Sequence, residues 1–310
     1  MNRLLALGIL IAVLQSALEG AEADLLLMPN AMLVPLAYAK RIVHSISRRF
    51  VSADGRRRLM QTLLRKVRIA ITPRSWLLRR ELSNGVVVFG PNISGYGGRG
   101  IYLEGDRIEP ELEHLEWILE RDEVFIDVGA NTGMFALKAA RCVGSDGDVI
   151  AVEPSIEMMR VLTYSTRFNG INNIRLRNLC LGERTEVQTL WLNDDRPNRF
   201  SLVKQVSNAP STSVLVVALD DLCQWEGLTR LDYLKIDVVG AEEQVLAGAV
   251  QTLQRFRPIV QIAISNRDTP VALRGYGVYR RPHSVNKIYL PDDHPKTGRF
   301  VELGWQKSAT

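Results

Sequence analysis

The segment Asp127-Val128-Gly129-Ala130-Asn131-Thr132-Gly133 stands where an apolar run, Val124 to Val128, hands over to a stretch of helical spacing, Phe135 to Cys142. Glycines in such a turn let the backbone come close to a ligand, because no Cβ intrudes. The first turn of the following helix offers unpaired N–H groups. An acid two residues ahead of Gly129 suits a cofactor whose amino-acid tail needs hydrogen-bond partners. Glu153 closes a second apolar run, Val149 to Val152, twenty residues after Gly133. A carboxylate at that place accepts both hydroxyls of a ribose. Asp237 ends a third run, Tyr233-Leu234-Lys235-Ile236, and Glu242 opens the next helix, where the dipole favours an anion.

Competing chemistries fit less well. A nicotinamide-dinucleotide site wants Gly-x-Gly-x-x-Gly, and the three positions from Gly129 hold Gly129, Asn131 and Met134. The loop Gly95-Tyr96-Gly97-Gly98-Arg99-Gly100 lacks the Lys-Ser/Thr of a phosphate-binding P-loop and reads as a turn. Cys142, Cys180 and Cys223 are odd in number, widely spaced and without zinc-ligand spacing, so no metal site is expected and the thiols are expected free in a reducing compartment.

The elements that must position these residues alternate. Gly85 to Phe89 is a strand, and Leu112, Leu115, Ile118 and Leu119 mark an amphipathic helix. Strands follow at Val124–Val128, Val149–Val152, Ile174–Leu181, Val214–Val217, Tyr233–Val238 and Pro258–Ile264, and helices at Phe135–Cys142, Ile156–Phe168 and Glu242–Leu253. Strands alternating with helices imply an α/β domain with a mostly parallel sheet covered on both faces. Ligands of such sheets sit at the carboxyl ends of the strands.

Of the 310 residues, 46% are hydrophobic and 24% charged, an ordinary globular balance. Residues 1–80 read as a helical, basic extension and residues 81–310 as the catalytic domain, with its core at 109–264. Between Lys40 and Arg80 there are thirteen basic residues against the single acid Asp54, so this stretch carries about +12 of a chain whose net charge is +5. It suits an anionic membrane surface better than a nucleic acid, with a solvated helical face as the plain alternative. Leu4 to Leu14, followed by Ala21-Glu22-Ala23, has the layout of a secretory signal. The run is too short to span a bilayer and reads rather as a helix that packs on the domain or lies on a membrane.

The motifs taken together resemble the FkbM family of methyltransferases. The matching pieces are Phe125 to Gly133, Glu153-Pro154-Ser155, Asn169-Gly170, Leu219-Asp220-Asp221-Leu222, Lys235-Ile236-Asp237 and Gly240-Ala241-Glu242. Ile108-Glu109-Pro110 resembles the family's lead-in, and Ser284 to Pro291 its tail. The resemblance implies a class I methyltransferase (Rossmann-like) fold, doubly wound and mostly parallel, with S-adenosylmethionine as donor and a sugar or related hydroxyl as acceptor. It implies that Asp127, Gly129, Asn131 and Gly133 hold the methionine end, that Glu153 holds the ribose, and that Cys180 and Leu181 lie near the adenine. Asp237 becomes the first candidate to take or orient the acceptor's proton, Glu242 the second, and His283 and His294 weaker ones. Two positions depart from the family pattern: Val239 and Ala263 stand where it carries acids. A noncatalytic member that binds the cofactor and docks on a membrane or partner is the alternative. S-adenosylmethionine is a cytosolic metabolite, so the expected location is the cytoplasm, peripheral to the membrane if the basic stretch docks there.

If the Lys40–Arg80 stretch binds anionic lipid, each basic residue near the surface contributes about 1 kcal/mol. Co-sedimentation of the full chain with vesicles is then expected to rise with anionic lipid content and fall with salt. Equal binding to neutral vesicles, or none, would identify a solvated face.

Overall fold

In the computed structural model the described residues are 72–192, 200–201, 211–238, 240–263, 273–282 and 284–308, with 61–62, 64–66 and 68–70. The chain divides into two units, Met1–Trp76 and Leu77–Thr310. The described residues between 61 and 70 are helical. The Leu4–Leu14 run and most of the basic stretch lie outside the described residues. No helix among the described residues is long and apolar enough to cross a membrane.

The second unit opens with a hairpin, β1 (Leu77–Glu81) against β2 (Val87–Pro91). Residues 77–80 are therefore strand and not helix: Leu78 is buried between exposed Leu77 and Arg79, the two-residue alternation of a sheet. Two helices follow, α1 (Ile101–Glu104) and α2 (Pro110–Ile118). The core then alternates β3 (Val124–Val128), α3 (Met134–Val143), β4 (Asp148–Val152), α4 (Ile156–Phe168) and β5 (Ile174–Arg177). Next come β6 (Cys180–Gly182), β7 (Glu186–Leu192), β8 (Phe200–Ser201), β9 (Ser211–Ala218), α5 (Leu219–Trp225) and β10 (Tyr233–Ile236). The chain ends with α6 (Glu242–Ala247), α7 (Val250–Phe256), β11 (Ile259–Ala263), β12 (Tyr276–Arg280), β13 (Asn286–Pro291), α8 (Thr297–Glu302) and β14 (Gln306–Lys307).

The main sheet has the order β14-β12-β13-β11-β10-β3-β4-β5. From β5 to β11 all neighbours are parallel, and β13 runs antiparallel between β11 and β12. This is the doubly wound, mostly parallel α/β sheet the sequence predicts. Strand β3 is buried along its whole length because both faces are covered, which is why it reads as a continuous apolar run. Phe125 and Tyr233 face one cluster with Leu112, Leu115 and Phe135 of the helices; Ile126, Leu234 and Ile236 face the other with Leu219, Leu222 and Val245. The chain leaves β3 toward β4 and β5 and later returns to the other side at β10. The switch point of the topology, where a ligand finds a crevice, thus lies between the carboxyl ends of β3 and β10.

Two expected elements are broken. The strand expected over Ile174–Leu181 splits, because the Asn178 side-chain amide donates to the Glu153 and Pro154 carbonyls and turns the chain out of the main sheet. Its second half, β6, joins a separate sheet ordered β6-β9-β7-β8. The helix expected over Glu242–Leu253 ends at Gly248, where a Cβ would stand 2.1 Å from the Gly182 carbonyl oxygen. Gly248 gives its carbonyl to the Asp220 N–H at 2.9 Å, and the Asp220 carboxylate accepts the free Gln251 and Thr252 N–H groups at 3.0 and 2.7 Å. Asp220, in the first turn of α5, thus caps α7. Asp220→Ala is expected to cost about 1 kcal/mol, the usual scale for a lost helix cap, with S-adenosylhomocysteine affinity unchanged; urea denaturation and calorimetry check the two halves of that statement.

Candidate functional site

The 129–133 turn is shaped by three left-handed residues, Gly129 (φ 79°), Asn131 (φ 52°) and Gly133 (φ 83°). A Cβ on Gly129 would lie 2.1 Å from the Asp237 carbonyl oxygen, so the turn meets the end of β10 backbone to backbone. The Gly129 and Ala130 N–H groups both donate to the Val152 carbonyl at 2.9 Å, which seats the turn on β4. Glu153 ties the same turn to α4: its carboxylate accepts the Asn131 N–H and the Ser155 N–H, each at 2.8 Å. Glu153 is 5% exposed, and burial outweighs those two hydrogen bonds to push its carboxyl up to about 7. Each of its oxygens keeps a lone pair for a further donor.

The loop Gly95–Gly100, read from sequence as a turn, is the second wall of this corner. A Cβ on Gly97 would stand 2.2 Å from the Asn131 side-chain oxygen, and the Thr132 hydroxyl donates to the Gly97 carbonyl at 3.0 Å. Two glycine loops far apart in sequence are packed on each other.

Lys235 stands in strand register opposite Asp127, and so shares its face of the sheet. Its ammonium lies 3.1 Å from Asp127 Oδ1, 3.3 Å from Asp237 Oδ2 and 4.7 Å from the centre of the Phe135 ring. Burial works against this charge, yet Asp127, Asp237 and Glu109 hold its pKa above the ordinary lysine value. Asp127 is 0% exposed, and its second oxygen accepts the Ala136 N–H at 3.1 Å. Each of its oxygens thus has one partner inside the protein, which fixes the turn and the start of α3. Asp237 has a side chain that is 41% exposed and faces the crevice. Lys235 was legible as an oddity, a charge inside an apolar run and in step with Asp127, but the sequence assigned it no task.

The other expected residues fall as follows. Glu242 opens α6, is half-buried, and accepts the Gly240 N–H at 3.3 Å; burial raises its pKa. Cys180 and Leu181 are buried on opposite faces of β6, Leu181 in the core beneath the main sheet and Cys180 toward Leu190 and Val216. Burial, then the Glu153 charge, pushes the Cys180 thiol up to about 12. Strand β13 starts at the site end with Asn286, so His294, beyond its far end, sits toward the amino ends of the parallel strands, where its Nδ1 accepts the Lys296 N–H. It is not part of the site. His283 and Val239 lie outside the described residues. Ala263 is paired with Asn286 at the end of β11. Among the described residues no cluster of His, Cys, Asp and Glu is arranged to hold a metal ion.

The same face carries polar groups that the sequence presented only as parts of a lead-in and a tail. Asn286 Nδ2 donates to Glu109 Oε2 at 3.3 Å, and the Ser284 hydroxyl donates to Glu111. Gln261 is opposite Lys235 and accepts the Tyr233 hydroxyl at 2.9 Å.

Lys235→Met keeps most of the apolar volume and removes the cation. Stability in urea is expected to fall by roughly 3–5 kcal/mol, because Asp127 is left as an unpaired buried charge. Adding Asp127→Asn should recover much of the loss, read as coupling in a double-mutant cycle. Additive effects of the two changes would show that the pair is not coupled.

Comparison with known proteins bears on the same residues. A family model described as the methyltransferase FkbM domain matches residues 127–276. Among solved structures, the chain is similar to methyltransferase FkbM from Methylobacillus flagellatus KT, at 15% identity and a TM-score of 0.41 over 83% of this chain and 60% of that one. It is similar to an S-adenosylmethionine-dependent methyltransferase from Agrobacterium tumefaciens, at 10% identity and a TM-score of 0.39 over 64% and 56% of the two chains. It is also similar to precorrin-6y C5,15-methyltransferase from Geobacter metallireducens GS-15, at 13% identity and a TM-score of 0.32 over 58% and 85%. The chain thus spans about 60% of the length of the first of these. No curated protein matches it. The sheet is a doubly wound, mostly parallel, Rossmann-like α/β arrangement. Residues 127–276, the segment that carries the glycine turn, Glu153, Lys235 and Asp237, match the methyltransferase FkbM domain.

Proposed function

We propose that this protein is an S-adenosylmethionine-dependent methyltransferase whose acceptor is the hydroxyl of a sugar or related molecule. The observation that carries the reading is the Gly129–Gly133 turn, pressed against the Asp237 backbone at the topological switch point. The residues there fit the donor: Glu153 closes β4 beside the turn with one partner on each carboxylate oxygen, and so keeps acceptor capacity for a ribose. Bound there, S-adenosylmethionine supplies a methyl group on sulfonium, a strong leaving group, so proximity and orientation account for much of the acceleration.

The chain's own residues divide the remaining work. Gly129, Asn131 and Gly133 border the methionine end, with Asp127 holding the turn in shape. Glu153 receives the ribose, and Cys180 borders the adenine, with Leu181 packed behind it. Asp237, partly exposed and steadied by Lys235, takes or orients the acceptor's proton. Glu242 complements the start of α6. The basic stretch of residues 40–80 docks the protein on an anionic membrane from the cytoplasmic side, where the donor is made. A second reading, donor binding without transfer, draws on Ala263, which leaves the end of β11 without an acid.

Calorimetry is expected to show S-adenosylhomocysteine binding in the micromolar range, about −8 kcal/mol. Glu153→Ala is expected to weaken it by roughly 1.5–3 kcal/mol through loss of a charged acceptor. Binding of NADH with no response to S-adenosylhomocysteine would overturn the reading. With labelled S-adenosylmethionine and a panel of glycans and lipids, Asp237→Asn is expected to lower turnover about 10²–10⁴-fold with cofactor affinity nearly unchanged. A variant that melts earlier yet turns over normally per folded molecule would make Asp237 structural.

A further inference from the structure

Glu109 occupies the position just before the first turn of α2, where a side chain ordinarily accepts free N–H groups of its own helix. It makes no such bond. Its backbone is extended there (φ −140°, ψ 131°), and its carboxylate takes the Asn286 amide, 177 residues away, as its one hydrogen bond among the described residues. That bond is long, 3.3 Å, and comes from a neutral donor. Glu109 is 8% exposed. A carboxylate buried on such terms is costly to stability, and a structural role does not account for it.

Its placement does. Asn286 is opposite Ala263 at the end of β11, and β11 lies beside β10, which ends at Asp237. Glu109 therefore hangs over the carboxyl end of the strand next to Asp237, on the same face, and is near enough for the charges of Asp237 and Lys235 to act on it. The cluster is not closed on itself. Two more buried atoms of it, Glu111 Oε2 and Gln261 Nε2, have no hydrogen-bond partner among the described residues.

We propose that Glu109 is the catalytic residue that takes the acceptor's proton, while Asp237, steadied by Lys235, orients the acceptor hydroxyl. This rests on the methyltransferase reading above. The acceptor O–H gives its proton to a Glu109 oxygen as the acceptor oxygen bonds to the methyl carbon. The electron pair of the breaking carbon–sulfur bond stays on sulfur, and Glu109 later returns the proton to water. The groups facing Glu109 are Asp237 and Lys235 from β10, Glu111 from α2 and Asn286 from β13. Burial first, then the Asp237 charge, pushes the Glu109 carboxyl up to about 7, a suitable value for a base working near neutrality.

The test is Glu109→Gln in the full chain, with three readouts. Calorimetry with S-adenosylhomocysteine is expected to show unchanged affinity. Carbon-13 NMR of glutamate-labelled protein is expected to lose one carboxyl signal that titrates near pH 7; the other, from Glu153, disappears instead in Glu153→Gln. Methyl transfer to a panel of methyl glycosides should fall about 10²–10⁴-fold. The wild-type rate, low while Glu109 is protonated and rising with pH through about 7, should lose that rise in the variant. A variant that keeps both rate and pH profile overturns the proposal, as does a Glu109 signal that titrates in the ordinary carboxylate range. Wild-type protein that binds S-adenosylhomocysteine but methylates no acceptor overturns the methyltransferase reading and the Glu109 role with it, whereas wild-type turnover that Glu109→Gln leaves intact overturns the Glu109 role alone.

Discussion

The ammonium of Lys235, buried between Asp127 and Asp237, is the contact on which the geometry of the site depends. It lies 3.1 Å from one carboxylate and 3.3 Å from the other. Asp127 belongs to the strand that leads into the glycine turn, and Asp237 to the strand end that the turn touches. One cation thus fixes the distance between the two sides of the crevice. Taking a lysine and an aspartate out of water costs several kcal/mol per ion, recovered only when the geometry is good and the remaining hydrogen bonds are made. Here the Ala136 N–H supplies one of those bonds and the Phe135 ring covers the ammonium. The arrangement is a device for precision rather than for stability.

Close approach of backbone completes the corner. Gly129 lies on the Asp237 carbonyl and Gly97 on Asn131, and in both cases a Cβ would occupy space already filled. Glycine at these positions is required by contact, and at Gly129 by its φ of 79° as well. On the same flank, buried Lys138 reaches Asp106 at 2.5 Å, Glu116 at 2.8 Å and the Ser83 hydroxyl at 3.0 Å. This second buried cation ties the β1–β2 hairpin to α2 and α3, and thereby holds the Gly95–Gly100 loop between firm elements.

Much of this was legible in the sequence, for reasons that are local. Strands covered on both faces read as mostly apolar runs, so β3, β4, β10 and β11 were visible despite Asp127, Asp148, Lys235 and Gln261 within them. The glycine turn was visible because its constraint lies within seven residues, Asp127 to Gly133. The breaks at Asn178 and Gly248 were not, because each is set by a partner from another part of the chain: the Glu153 carbonyl in one case, the Gly182 carbonyl in the other. Glu109 escaped for the same reason. By local rules it is a helix-flanking acid, and only the register of β13 against β11 brings Asn286 over to it. The Gly95–Gly100 loop looked like a turn because nothing in its own residues points to Asn131 and Thr132.

On the proposed function, the turn, Glu153 and the Lys235 bridge form one preorganised donor site. A crystal structure of the protein with S-adenosylhomocysteine tests it most directly. The amino-acid tail is expected against Gly129–Gly133, the ribose at Glu153, and the thioether sulfur turned toward Asp237 and Glu109, with Lys235 still bridging Asp127 and Asp237. A ligand bound away from the turn, or an Asp127 that has left Lys235 to meet the ligand, would contradict it.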